Sequence, residues 1–171
     1  MKNRDMKKLG YGQKGLTTVE FAIIAASLII VLFGVIEVSR ALFVWNTIGE
    51  ATRRGARVAE VCPVNHGAIK RLAVFGSGWG SATASPVLSG LSTSNVTVQY
   101  LNASGTVLAD PAASFSAIQY VRVSINNYQH TMIIPFIMPT LNVPPFATTV
   151  PVESLGYLPD TATWACFGTA T

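Results

Sequence analysis

Residues 16–36 read Leu-Thr-Thr-Val-Glu-Phe-Ala-Ile-Ile-Ala-Ala-Ser-Leu-Ile-Ile-Val-Leu-Phe-Gly-Val-Ile. The stretch holds a single charge, Glu20, and none from Phe21 to Ile36. A helix that crosses the hydrocarbon core of a bilayer needs about 20 apolar residues, so the run predicts a membrane-spanning helix. A core helix of a soluble domain would carry a polar stripe over this length, and this run has none. A secretory signal is also disfavoured. Its apolar segment is usually about 7–15 residues long and ends at a small-x-small site, whereas here Glu37-Val38-Ser39-Arg40 follows.

Working outward, the charge is lopsided. The 171 residues carry a net charge of +4. Residues 1–15 hold Lys2, Arg4, Lys7, Lys8 and Lys14 against Asp5, and the remainder is neutral. This is a basic leader on a neutral body, which excludes a basic nucleic-acid-binding face. Lys and Arg ahead of a span are held in the cytoplasm, so the body is expected on the far side of the membrane. Only 12% of the chain is charged, about half of the ~25% common in soluble domains. From residue 72 onward only Asp110, Arg122, Glu153 and Asp160 carry charge. Either Ser, Thr and Asn solvate that surface, or partners or the membrane cover part of it.

The helix is expected to continue beyond the span. Val38, Ala41, Leu42, Trp45, Ile48, Thr52, Gly55 and Ala59 recur at spacings of three or four, with Arg40, Glu50, Arg53, Arg54 and Arg57 largely between them. That pattern is amphipathic. Glu50 and Arg54 stand at i,i+4, and Pro63 ends the segment. The arginines at 53, 54 and 57 read either as a solvated face or as a docking surface for a partner subunit.

Several of these residues carry a resemblance. Gly15-Leu16-Thr17-Thr18-Val19-Glu20-Phe21 after a basic leader resembles the type IV prepilin cleavage signal. Val19-Glu20-Phe21-Ala22, Leu32-Phe33-Gly34-Val35-Ile36-Glu37-Val38-Ser39-Arg40 and Glu50-Ala51-Thr52-Arg53-Arg54-Gly55-Ala56-Arg57-Val58-Ala59 resemble the TadE family. Members of that family are minor pilin-like components of the bacterial tight-adherence (Tad, or Flp) pilus. The resemblance implies cleavage by a prepilin peptidase between Gly15 and Leu16, with Glu20 becoming the fifth residue of the mature chain. It also implies an inner-membrane location with the head in the periplasm. The implied partners are the peptidase, other pilin and minor pilin subunits, the assembly platform and membrane lipid. An uncleaved single-pass protein with a binding head and a type II secretion pseudopilin are the alternatives.

The expected layout is a leader over 1–15, a span over 16–36, its helical extension over 37–62 and an α+β head over 63–171. In the head, Asn65–Phe75 predicts a short helix with Asn65 as N-cap and Gly76 near the C-cap. Strands are expected at Asn95–Leu101, Thr106–Leu108, Ala117–Ile125, Gln129–Ile134 and Ala147–Ser154, with a hairpin turn at Asn102-Ala103-Ser104-Gly105. Pro135, Pro139, Pro144, Pro145 and Pro151 predict irregular or edge-like links. The result is a small antiparallel sheet lying on the long helix.

Chemistry-bearing residues are few. Cys62 and Cys166 can form a disulfide if the head is exported, or remain separate buried thiols. Cys62 and His66 lie four apart, but Pro63 intervenes and no second pair completes a metal site. His130 reads as a surface or packed histidine. Gly76–Ser81 lacks the Gly-Lys-Ser/Thr ending of a phosphate loop. No nucleophile, base and orienting group stand together, so neither an enzyme nor a cofactor or metal protein is expected.

Overall fold

The structure, a computed structural model, describes residues 14–77, 80–81, 83–133, 140–160 and 162–166. All of the expected leader except Lys14 and Gly15 lies outside them. Helix α1 runs unbroken over Lys14–Ala59, about 69 Å at 1.5 Å per residue. It ends a little before the expected boundary. The Val61 N–H bonds the Val58 carbonyl at 3.3 Å, a tightened last turn ahead of Pro63, which disfavours helix in the residue before it.

Over residues 15–36 every side chain of α1 is exposed except the half-buried Ala25. The head packs only on the outer part, where Val44, Ile48, Ala51, Thr52, Gly55, Ala56 and Ala59 are buried. The expected stripe is therefore corrected at one end. Val38 and Leu42 are 61% and 59% exposed, and Trp45, at 49% exposure, meets the sheet only through an edge-to-face contact with Phe146 at 4.8 Å. Most buried positions are small, which lets the layers approach closely. A Cβ built on Gly55 would lie 2.8 Å from Ala73 Cβ and 2.9 Å from Val123 Cγ1.

Helix α2 (Gly67–Ala73) packs across α1, and His66, not Asn65, is its N-cap. The His66 ring nitrogen accepts from the Ala68 N–H at 3.3 Å. Asn65 is displaced from that role by a long-range contact. Its N–H donates to the buried Tyr100 hydroxyl at 3.1 Å, and its φ of 60° is left-handed, a conformation Asn tolerates.

The main sheet has strands β1 (Val96–Leu101), β2 (Tyr120–Ile125) and β5 (Phe146–Pro151) in the order β1-β2-β5, all antiparallel. Val121, Val123 and Ile125 point into the core, while Arg122 faces outward and donates to Thr149 Oγ1 at 3.1 Å. The strand starts later than the expected Ala117, at Tyr120. Ile118 is buried, but it follows a 3-10 turn at Phe115–Ala117 and precedes the strand. The Asn102–Gly105 turn is present, with the Asn102 N–H bonding the Thr106 carbonyl at 3.0 Å. Its return is a single bridge, Leu101 to Val107, not a strand.

Strand β3 (Gln129–Thr131) is shorter than expected and pairs with β4 (Thr140–Asn142). The last residue of the expected strand, Ile134, lies outside the described residues, as do Pro135 and Pro139. The β4 segment was unexpected, because prolines bracket it in sequence. Strands β6 (Tyr157–Leu158) and β7 (Thr163–Trp164) form a further short pair. The architecture is α+β: a long helix carrying a small antiparallel head.

Candidate functional site

Glu37 follows directly on the apolar run. Side chains on a helix lean toward its N-terminus, so this carboxylate reaches back over the last turn of the run. It is only 7% exposed, and so is not left to water. Its Oε1 lies 3.1 Å from His130 Nε2. Its Oε2 accepts from the Ile133 backbone N–H at 3.1 Å. Arg40, one turn further on, donates from Nη1 to both oxygens at 3.0 and 3.2 Å.

Strand β3 supplies His130, held in register opposite Leu141 of β4. The short hairpin is thus fastened to α1 by its histidine and by the backbone just after it. Burial alone raises the Glu37 pKa. The Ile133 N–H, His130 and Arg40 outweigh it and hold the carboxyl below its ordinary value of 4.5. The cluster is a satisfied polar clamp. Beside it a cleft of about 490 Å³ opens between Arg40, Phe43, Leu88, Tyr128, His130 and Ile133. No cluster of three metal-ligating side chains occurs among the described residues.

Sequence reasoning missed this clamp. Glu37 read as the end of the run and His130 as an isolated histidine. The one local signal was Arg40 at i+3 from a glutamate on the edge of an apolar segment. The partners separated by 93 and 96 residues left no local trace.

The far end of the head is held differently. Cys62 and Cys166 form a disulfide with Cα atoms 4.9 Å apart. Around it, the Glu60 carbonyl accepts from the Glu153 and Leu155 N–H groups, each at 3.2 Å. Gly156, with φ of +80°, leaves no room for a side chain, since an added Cβ would lie 2.5 Å from Pro63 Cδ. Burial, with Glu153 nearby, raises the Glu60 pKa against the pull of Arg57. The Cys62/His66 pair is spent on the disulfide and on capping α2.

The expected processing residues stand at the opposite end of α1. Gly15 and Leu16 lie in its first turn, both exposed, and nothing comes within 4 Å of a Cβ built on Gly15. Glu20 is also exposed, one turn on. None of the three touches the head.

The three arginines are all exposed but not equivalent. Arg53 approaches Glu50 at 3.9 Å, so the ion pair on this helix is i,i+3 and not the expected Glu50–Arg54. Arg54 instead lies over the Phe75 ring, 5.8 Å from its centroid.

Comparison with known proteins bears on this same helix. No curated protein and no solved structure matches the chain significantly. A family model does, over residues 15–57, and its description is TadE-like protein. The matched residues begin at Gly15, take in the whole exposed apolar run and the Glu37–Arg40 pair, and end under the head. Over residues 15–57, most of its long helix, the chain is similar to TadE-like proteins.

Proposed function

We propose that the protein is a minor pilin or pseudopilin that takes part in building a Tad pilus, and that its role is structural and not catalytic. The observation that carries this reading is the family match on a helix whose first half has no cover among the described residues. Apolar side chains from Leu16 to Ile36 lie exposed there, as a surface that lipid or neighbouring helices would cover. The coarser statement, a protein associated with the Tad pilus and its other components, is what the family match supports directly.

The finer steps follow from the residues. A prepilin peptidase removes residues 1–15, cutting after Gly15, where the absence of a side chain leaves the backbone open. The basic leader keeps that end in the cytoplasm, and the head folds in the periplasm. Glu20 then stands in or near lipid, where a carboxylate costs about 2.5–3.5 kcal/mol at mid-membrane and less at an edge. A neighbouring subunit's N-terminal amine relieves that cost in the assembly, and a desolvated pair of this kind is costly to break. The exposed Arg53, Arg54 and Arg57 form the part of the helix that docks partner subunits, with Arg53 beside Glu50 and Arg54 braced over Phe75.

Two variants test the proposal together. Gly15→Val is expected to block maturation and leave the protein at precursor size on a gel. Glu20→Ala is expected to insert and fold normally but to lower pilus yield sharply. Normal processing in the first and normal pili in the second would leave an uncleaved anchor with a binding head as the better account.

A further inference from the structure

The base of the head faces a dimension problem. The uncharged part of the run, Phe21 to Ile36, has sixteen residues, about 24 Å of helix. A hydrocarbon core is about 30 Å thick, with roughly 5–7 Å of headgroup zone on each side. The helix therefore brings a charge-bearing turn to each edge of the core. At the outer edge that turn is Glu37 to Arg40, the turn the head covers with its polar clamp.

The clamp fixes the level of the hairpin. Ile133 donates its N–H to Glu37, so its backbone lies level with the end of the apolar run. Leu141, paired with His130, lines a small cavity with Ala41 and Trp45. Ala41 is five residues above Ile36, about 7 Å along the axis. Both hairpin side chains point outward, at 59% and 50% exposure. At the same level Val38, Leu42 and Phe43 of α1 are exposed too. Beside Ser39 and Arg40, exposed apolar side chains thus occur on the helix extension and on the hairpin at the level where the run ends. Between Arg122 and Glu153 the sequence has no acidic or basic side chain except His130. The connection from Ile134 to Pro139 has no polar side chain in sequence.

We propose that the base of the head is a second lipid contact: Ile133 and Leu141, with Val38, Leu42 and Phe43, rest in the outer interfacial zone of the bilayer that α1 crosses. This rests on the reading of residues 16–36 as a membrane span. It gives the low charge of this part of the head a physical reason, since a charged surface at that depth would be expelled from the interface. It also accounts for the clamp. The Glu37 carboxylate sits where water is scarce, and its own chain supplies the partners that water would otherwise provide. The Arg40 guanidinium, bonded to that carboxylate, stands at the same level, at the outer edge of the core.

The test uses the full-length chain in bilayers of bacterial phospholipid, with the Cys62–Cys166 disulfide intact. Single spin labels are placed through Leu28→Cys, Leu141→Cys and Ala103→Cys, and each is read by its accessibility to oxygen and to a water-soluble nickel chelate. Residue 28 reports the span, and residue 103 the far end of the head. Position 141 is expected to side with 28, favouring oxygen and excluding nickel, while 103 shows the reverse. If 28 is in lipid and 141 behaves like 103, the base stands in water. The proposal then fails while the anchor survives. Protection of 141 from both reagents, with spin–spin broadening, would mean that a second copy covers it, and would equally overturn the lipid contact. Nickel access at 28 would remove the membrane reading itself.

Discussion

The two halves of α1 each carry a glutamate close to one end of the apolar run, and the two live differently. Glu20 lies on an exposed surface among Val19, Phe21 and Ile24. Glu37 is wrapped by His130, Arg40 and the Ile133 backbone. The side chains around them differ in the same sense. Residues 21–36 are mostly large aliphatics exposed on all sides, whereas the outer half buries Ala51, Thr52, Gly55, Ala56 and Ala59. A lipid-facing helix needs apolar bulk all round, and a helix under a sheet needs small residues on one face. The contrast teaches that the outer half is finished by its own head, while the inner half finds no such cover among the described residues.

Substitutions in the outer half should therefore cost head stability, and the matching ones in the inner half should not. The largest effect is expected at the end of the head farthest from the membrane. Closing 104 residues with the Cys62–Cys166 bond is worth about 4–5 kcal/mol in the chain-entropy model. The double change to serine should lower the urea midpoint of the head accordingly, with membrane insertion retained.

Next come the paired glycines. Gly55→Val would drive its side chain into Ala73 and Val123, at a cost of about 3 kcal/mol. Gly34→Val meets nothing within 4 Å and should leave the same unfolding curve unmoved. Equal losses from both would erase the distinction between the two halves.

The two carboxylates give a smaller and more diagnostic pair. Glu37→Ala strands the Ile133 N–H and the His130 ring, for about 2 kcal/mol, and Glu20→Ala leaves head stability unchanged. The pH dependence sharpens the comparison. Because the folded-state pKa of Glu37 is depressed, its contribution is present above the unfolded value and is lost as pH falls through the folded one. Glu60 has the opposite sign. Its raised pKa gives stability below the unfolded value that is lost as pH rises through the folded one. Acid titrations of Glu37→Gln should show a flatter acid limb than wild type, and Glu60→Gln a steeper one.

How much of this was legible depended on the range of the interaction. The long apolar helix, its extension and the Asn102–Gly105 turn are written locally and stand in the structure where the residues point. Where a distant residue decides, the reading failed. Asn65 is a good N-cap in isolation, but with its N–H on Tyr100 its backbone is left-handed and not extended as a cap requires, and His66 caps the helix. Val38 and Leu42 belong to an apolar stripe by spacing, yet both are exposed, and the sheet meets the helix on the face of Val44 and Ile48, with Trp45 at its margin against Phe146. Strand β4 lies between prolines that locally oppose strands, and its pairing with β3 restores it. Glu37 and His130 look unremarkable singly and become a site only when the hairpin folds back on the helix.

The most direct test of the central account is the N-terminus of the protein recovered from membranes, by intact mass and terminal sequencing. A chain that starts at Leu16 is the predicted result: the leader is removed and Glu20 is the fifth residue of a chain with a free amine. A chain that still starts at Met1, in cells with an active prepilin peptidase, would contradict it and leave α1 as a simple anchor for a periplasmic head.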